Sequence, residues 1–191
     1  VQIRTNTSKG ENKMENNKRK IYIIEGCDAT GKTTLISELQ QLTGLPVVQG
    51  SSFEIAQKGV EHMFNFMKEQ LKNPESFIMD RSFISNLVYG PLYDKNTLSE
   101  SQVFELVDLL GGDAELIYLA ASPTFIEKRL NLRGDDYVAS KDVSRIVYKY
   151  EQVVEQFTFS IDTVTYDVEL IDSYSIAQEI FEFWQEEEGG Y

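Results

Sequence analysis

The segment from Gly26 to Thr34 has the residue types and spacing of a phosphate-binding loop, G-x-x-x-x-G-K-[ST]. Glycines at both ends let the backbone amides close on an anion, and the helix that follows directs its N-terminal dipole at the same charge. Lys32 would reach the outer phosphates, and Thr33 offers a hydroxyl to Mg²⁺. We assign nucleotide binding to the following loop residues: Gly26, Asp28, Ala29, Thr30, Gly31, Lys32, Thr33 and Thr34.

A second chemical signal is Asp80-Arg81-Ser82, which follows the apolar run 77–79. An acid at the end of a buried strand, next to a phosphate loop, is where a Walker B carboxylate meets the metal–nucleotide complex. Arg81 could hold a phosphate bidentately while Asp80 orients a metal-bound water or receives a proton. A surface ion pair or a helix cap is the alternative interpretation of this pair.

A third signal is the pair Arg129 and Arg133, spaced four residues apart so that both lie on one helix face. They precede Gly134-Asp135-Asp136-Tyr137, a polar loop that could act with them as a cationic lid, which excludes water and stabilises charge on a phosphoryl group. The alternative is a solvated basic face together with Lys128. The candidate catalytic residues are Lys32, Asp80, Arg81, Arg129 and Arg133.

From Lys20 onward, segments typical of strands and helices alternate, which predicts an α/β fold with a parallel sheet covered by helices on both faces. Predicted elements include one helix over residues 53–71, a helix over 83–89 that Gly90-Pro91 breaks, and a last strand over 165–171. Ligands of such sheets gather at the carboxyl ends of the strands, where the three signals fall. We predict a disordered leader over 1–19, one domain over 20–185 and a frayed tail over 186–191, with Met14 as the natural start.

Composition narrows the function further. A chain of 191 residues suits one domain, and a net charge of −13 disfavours a broad surface for duplex nucleic acid. No apolar run is long enough to span a bilayer, so no membrane partner is expected. The one cysteine, Cys27, suits a reducing cytoplasm, and phosphoryl transfer requires no thiol nucleophile.

Taken together, these motifs resemble the thymidylate kinase and deoxynucleoside kinase family of P-loop kinases. The resemblance covers residues 20–184 and includes Ser85 and Tyr89 after Asp80-Arg81-Ser82, as well as Arg145 and Tyr148 after the lid. It implies a P-loop NTPase fold with a five-stranded parallel sheet and a short lid, ATP as donor, and Mg²⁺ as cofactor. It also implies a small nucleoside or nucleotide acceptor between Asp80-Arg81, the helix over 53–71 and the lid.

The resemblance also implies a role for individual residues. Thr33 and Asp80 would lie at the metal, and the substrate-binding set is Asp28, Phe64, Lys68, Arg81, Ser85 and Tyr89. In that family an acid at the position of Asp28 faces the acceptor sugar, and an aromatic at that of Phe64 stacks on the base. From the residues alone, Phe64 is more typical of plain core, because its helix is rich in Met and Phe.

Three departures from the family pattern bear on the acceptor. Ala29 replaces a loop arginine, which shifts the catalytic cation to the lid. Residues 47–52 lack the family's Arg-Glu-Pro-Gly-Gly pattern, whose arginine helps to hold an acceptor phosphate, and this favours a nucleoside or a hydroxyl on a modified base over a monophosphate. Lys68 replaces an arginine, so bidentate recognition of the base is lost.

The leading hypothesis is a kinase of a deoxynucleoside monophosphate. The alternatives are a deoxynucleoside kinase, a kinase of a hydroxyl on a modified base or nucleic acid, and a nucleotide-binding regulatory module. A homodimer through residues 99–110 also stays open.

Overall fold

The computed structural model describes residues 3–5, 19–133 and 140–188. These residues form one six-stranded sheet in the order β1-β6-β5-β2-β4-β3. Its strands are β1 (Ile3–Thr5), β2 (Ile21–Gly26), β3 (Val47–Gln49), β4 (Phe77–Asp80), β5 (Ala114–Ala120) and β6 (Asp162–Asp167). All neighbours from β6 to β3 pair in parallel, and β1 pairs antiparallel with β6 at the edge. The predicted five-stranded parallel sheet is confirmed, and β1 adds a strand that was not predicted.

The described residues also form eight helices, of which the first seven lie between strands and the last follows β6. They are α1 (Lys32–Thr43), α2 (Phe53–Gln57), α3 (Val60–Leu71), α4 (Phe83–Leu92), α5 (Glu100–Leu110), α6 (Pro123–Arg133), α7 (Ser140–Phe157) and α8 (Ser173–Glu188). None of these helices is long and apolar enough to cross a bilayer.

Alternation along β2 shows how the sheet is covered on both faces. Ile21 and Ile23 belong to the cluster with side chains from α3 to α7, whereas Tyr22 and Ile24 belong to the cluster with α1 and α8. Because both faces are buried, β2 has no solvated side, and every one of its residues is buried. This rigid central strand carries the phosphate loop at its carboxyl end.

Three predicted elements differ in the structure. The helix over 53–71 is split into α2 and α3, because Gly59 adopts a φ of 99° that interrupts the helix. Helix α4 continues through Gly90 and Pro91 to Leu92, so Gly90-Pro91 does not end it as predicted. The last strand begins earlier than predicted, and Asp167 instead accepts the turn bonds from the amides of Leu170 and Ile171 at 3.0 and 3.2 Å.

Parts of the predicted leader and tail lie among the described residues. Arg19 donates hydrogen bonds to the carbonyls of Leu71, Asn73 and Leu109 at 2.6, 2.9 and 3.1 Å, and pairs with Asp113. It therefore fixes the start of β2 against the ends of α3 and α5. Residues 3–5 form β1, and α8 continues to residue 188; residues 1–2, 6–18 and 189–191 lie outside the described part.

Candidate active site

The phosphate loop begins where β2 meets its neighbour β5. A Cβ at Gly26 would lie 2.7 Å from the carbonyl oxygen of Leu119, and the φ of Gly26 is 149°, so only glycine fits there. Ala29 and Gly31 also have positive φ, 63° and 98°. Alternation of left- and right-handed residues makes the concave turn whose backbone N–H groups hold anions. Thr30 closes this turn by donating from Oγ1 to the carbonyl of Cys27 at 2.8 Å.

Lys32 lies inside the loop, with only 7% of its surface exposed. Its Nζ donates to the carbonyls of Gly26 and Cys27 at 2.8 and 2.7 Å. Burial, and then the charge of Arg81, lower the pKa of Lys32 to about 8. Among the described residues, none forms an ion pair with this buried ammonium, and a bound phosphate would stabilise its charge. Thr33 and Thr34, at the start of α1, are exposed.

Cys27 offers no reactive thiolate at neutral pH. Burial and the charge of Asp28 raise the pKa of its thiol to about 11. This agrees with the prediction that the cysteine takes no part in the chemistry.

Asp28, Arg81 and Tyr89 form a cluster directly on the phosphate loop. Arg81 Nη2 donates to Asp28 Oδ1 at 2.5 Å, and the Tyr89 hydroxyl donates to Asp28 Oδ2 at 3.0 Å. The Arg81 guanidinium also lies 5.4 Å from the centre of the Tyr89 ring. Burial alone would raise the pKa of Asp28, but Arg81, Lys32 and the Tyr89 hydrogen bond together lower it below its usual value. Asp28 is therefore a carboxylate at neutral pH.

A buried polar network lies behind this cluster. Arg81 Nη1 donates to Ser85 Oγ at 3.1 Å and to the Tyr150 hydroxyl at 3.0 Å. Glu25, fully buried, accepts from the backbone and hydroxyl of both Ser82 and Ser85. The structure thus places Ser85, predicted to bind substrate, behind Arg81, where its hydroxyl is buried in this network.

Glu25 and Tyr150 were not among the predicted site residues. A signal for Glu25 was present, because an acid that ends an otherwise apolar strand must find donors inside the protein. Nothing in the sequence around Tyr150 distinguishes it from the other aromatic residues of α7.

Asp80 lies at the carboxyl end of β4, half-buried, and its Oδ2 accepts from Gln49 Nε2 at 3.1 Å. Its carboxylate and the Thr33 hydroxyl are oxygen ligands, and together with phosphate oxygens and water they fit the preference of Mg²⁺. Among the residues that the structure describes, no group of three or more His, Cys, Asp or Glu could hold a metal by itself.

Phe64 and Lys68, both predicted to bind substrate, lie on α3. Phe64 is 8% exposed and packs within the core, and Lys68 forms an ion pair with Glu105 of α5. The Lys68 ammonium also lies 5.6 Å from the centre of the Phe64 ring. The substrate-binding role of these two residues stays a prediction.

The predicted lid cations are only partly described. The Arg129 guanidinium lies 5.4 Å from the centre of the Phe125 ring. Arg133 ends α6, but its side chain and residues 134–139 lie outside the described part. On α7, Arg145 pairs with Asp142 at 3.5 Å, and Tyr148 is exposed. The lid therefore stays a prediction.

Comparison with known proteins identifies the family, although no protein-family model matches the chain. The chain is 36% identical over 147 residues to the SPbeta prophage-derived uncharacterized protein YorR of Bacillus subtilis (strain 168). That match covers 75% of this chain and 88% of YorR. The chain belongs to the YorR family.

The crystal structure of YorR in complex with phosphorylated GDP superimposes with a TM-score of 0.81 at 32% identity. The superposition covers 90% of this chain and 99% of YorR. Deoxyadenosine kinase from M. mycoides with bound dATP is similar at 18% identity and a TM-score of 0.61, over 85% and 98% of the two chains. Shikimate kinase from Acinetobacter baumannii shares the fold at 12% identity and a TM-score of 0.56, over 86% and 92%. This YorR family member therefore has the P-loop kinase fold, as predicted.

Proposed function

We propose that this protein transfers the γ-phosphoryl group of ATP, bound with Mg²⁺, to a hydroxyl of a deoxynucleoside. The observation that carries the proposal is the Asp28–Arg81–Tyr89 cluster, which is built partly from the phosphate loop itself. A loop that only holds a nucleotide needs no second set of charged and aromatic groups across from it. In this proposal, the acid, the cation and the ring contact the acceptor beside the donor phosphates.

Charge favours a nucleoside over a nucleoside monophosphate. The charge of Arg81 is already balanced by Asp28 at 2.5 Å, and Glu25 and Asp80 add further negative charge nearby. The described residues that follow β3, Gly50 to Ser52, include no cation. A dianionic acceptor would therefore meet little compensating charge, whereas a neutral hydroxyl can donate a hydrogen bond to Asp28.

A deoxynucleoside monophosphate, the acceptor of thymidylate-kinase-like enzymes, is the second candidate. It is favoured by the position of Arg81 directly after Asp80, from which the guanidinium could turn from Asp28 to an acceptor phosphate. Such an acceptor would require additional cations from Arg129, Arg133 and the lid.

Each residue then has a defined part in the transfer. Lys32 and the loop amides bind the donor phosphates, and Thr33 and Asp80 would hold Mg²⁺, which neutralises phosphate charge when it is bound. Asp28 accepts the hydrogen bond of the attacking hydroxyl, and Arg81 stabilises the charge that spreads over the transferred group. Arg129 and Arg133 would close over the site from α6. We place these parts in one kinase domain over residues 20–185, in the cytoplasm.

A coupled assay of ADP release tests the proposal. Deoxynucleosides, ribonucleosides and their 5′-monophosphates are offered with ATP and Mg²⁺, and guanine compounds and GTP are included because YorR binds phosphorylated GDP. We expect turnover with at least one deoxynucleoside, higher kcat/KM than with its monophosphate, and loss of turnover in Lys32→Ala. Preference for a monophosphate would select the second candidate, and tight ATP binding without acceptor-dependent turnover would favour a regulatory module.

A further inference from the structure

We propose that Glu25 is a positioning residue that sets both the backbone and the guanidinium of Arg81 for the transfer reaction. The inference rests on the proposed function, because it assigns Arg81 to the reacting groups. Glu25 does not bond Arg81 itself; it acts through Ser82, Ser85 and Tyr150.

Arg81 has a backbone conformation that it would not adopt without support. Its φ is 63°, in the left-handed region that residues with a Cβ disfavour. On one side its amide donates to the carbonyl of Ile24 at 3.1 Å. On the other, Gly50 lies so close that a Cβ there would collide with the Arg81 carbonyl oxygen. Strained residues of this kind persist at functional sites when their surroundings hold them.

Glu25 provides the support immediately after Arg81. Its Oε1 accepts from the Ser82 amide at 2.7 Å, the Ser82 hydroxyl at 2.9 Å and the Ser85 amide at 3.2 Å. Ser82 is the N-cap of α4, so the carboxylate also lies at the positive end of that helix. Glu25 thereby fixes the chain where it leaves Arg81 and the helix that carries Tyr89.

The same carboxylate orients the groups that receive the Arg81 side chain. Ser85 Oγ donates to Glu25 Oε2 at 2.7 Å, and the Tyr150 hydroxyl reaches the same oxygen at 3.3 Å. Because their protons are directed at Glu25, the two hydroxyl oxygens can accept from Arg81 Nη1. In Glu25→Gln, an NH₂ group, which donates, replaces one carboxylate oxygen, which accepts. At least one of the hydroxyl or amide groups that donate to Glu25 would then lose its acceptor.

The test is a double-mutant cycle on the full-length protein. In Glu25→Gln we expect kcat to fall at least about tenfold and KM for ATP to change less than about twofold. In an Arg81→Ala background, the same substitution should lower the remaining kcat by less than about twofold, because Arg81 is no longer there to be positioned. An equal loss in both backgrounds, or no loss in the wild-type background, would overturn the proposal.

Two further variants separate positioning from general stability. Ile117 lies on the neighbouring strand β5, in the buried cluster on the side of the sheet that α1 and α8 cover. Ile117→Val removes buried volume away from the network, and its kcat should equal that of wild type. If Glu25→Gln does not fold, Ser85→Ala serves instead, because it breaks the link from Glu25 to Arg81 and should show the same non-additivity. Additive losses for Ser85→Ala would count against the inference.

A crystal structure of Glu25→Gln tests this inference independently of the proposed function. If the wild-type protein phosphorylates no acceptor, the proposed function fails, but Glu25→Gln can still be crystallised. We then expect Arg81 to leave its positive φ or to lose its bonds to Ser85 and Tyr150. An unchanged Arg81 in that crystal structure would show that Glu25 does not position it.

Discussion

Replacing Tyr150 by phenylalanine removes one hydroxyl from the centre of the buried network. That hydroxyl accepts from Arg81 at 3.0 Å and lies 2.9 Å from Ser85 Oγ, while the ring stacks on Tyr118 with centres 5.9 Å apart. The ring is unchanged by the substitution, so the loss is one of hydrogen bonds rather than of packing. A hydrogen bond to a charged group contributes about 1.5–3 kcal/mol, and we expect the free energy of unfolding to fall by about 2 kcal/mol.

Urea unfolding at pH 7 measures this change, with an unchanged m-value as evidence that the denatured state is the same. For a chain of this size the same loss lowers Tm by about 4–8 °C. Burial and the charge of Glu25 hold the pKa of Tyr150 well above its usual value, so the hydroxyl stays protonated and the loss should be equal at pH 6 and pH 9.

The matched control is Tyr148→Phe on the same helix. Tyr148 is 61% exposed and accepts one hydrogen bond from Gln152 at 3.0 Å, so its loss should stay below about 0.5 kcal/mol. Equal losses for the two variants, or a loss below about 0.5 kcal/mol for Tyr150→Phe, would refute the reasoning about the network.

Three further predictions follow from individual contacts. Lys32 in the free protein loses its proton as pH rises through its pKa of about 8, and only the ammonium attracts phosphate. The Kd for ATP should therefore rise above pH 8 by up to about tenfold per pH unit. Calorimetry that shows a flat Kd from pH 7 to 9.5, or the same slope in Lys32→Ala, would contradict this. Gly50→Ala should lower the free energy of unfolding by about 1–3 kcal/mol and reduce kcat, because the new Cβ collides with the Arg81 carbonyl. Thermal unfolding and the kinase assay measure these two changes, and an unchanged Tm would show that the collision does not occur. Arg19→Ala should lower the free energy of unfolding by about 2–3 kcal/mol, because its hydrogen bonds to backbone carbonyls are lost. Lys72→Ala, which breaks an exposed ion pair with Glu69, should lower it by less than about 0.5 kcal/mol. Similar urea midpoints for these two variants would show that Arg19 does not anchor the fold.

The phosphate loop and Asp80-Arg81 could be predicted from the sequence because their chemistry is local. The loop needs glycine, lysine and threonine at fixed spacing, and the carboxyl end of a buried strand delivers Asp80 to the same edge of the sheet. The alternation of strands and helices likewise predicted the parallel sheet, because this alternation can be recognised locally along the sequence.

The support of Arg81 could not be predicted, because it depends on contacts between distant parts of the chain. Glu25 meets Ser82 and Tyr150, which follow it by 57 and 125 residues, and no periodicity records such pairs. Likewise, Lys68 pairs with Glu105 of a different helix, so its direction is decided by tertiary packing rather than by the spacing within α3.

The most direct test of the proposed function is transfer of labelled phosphate. The protein is incubated with ATP labelled in the γ-phosphoryl group, Mg²⁺ and the deoxynucleoside that gives the highest turnover, and the products are separated and identified by mass spectrometry. We predict that the label appears on a hydroxyl of the deoxynucleoside, in amounts equal to the ADP formed, and that Arg81→Ala strongly lowers the rate at which it appears. Label found only as inorganic phosphate, or retained in ATP with every acceptor, would contradict a kinase site formed by Lys32, Asp28 and Arg81.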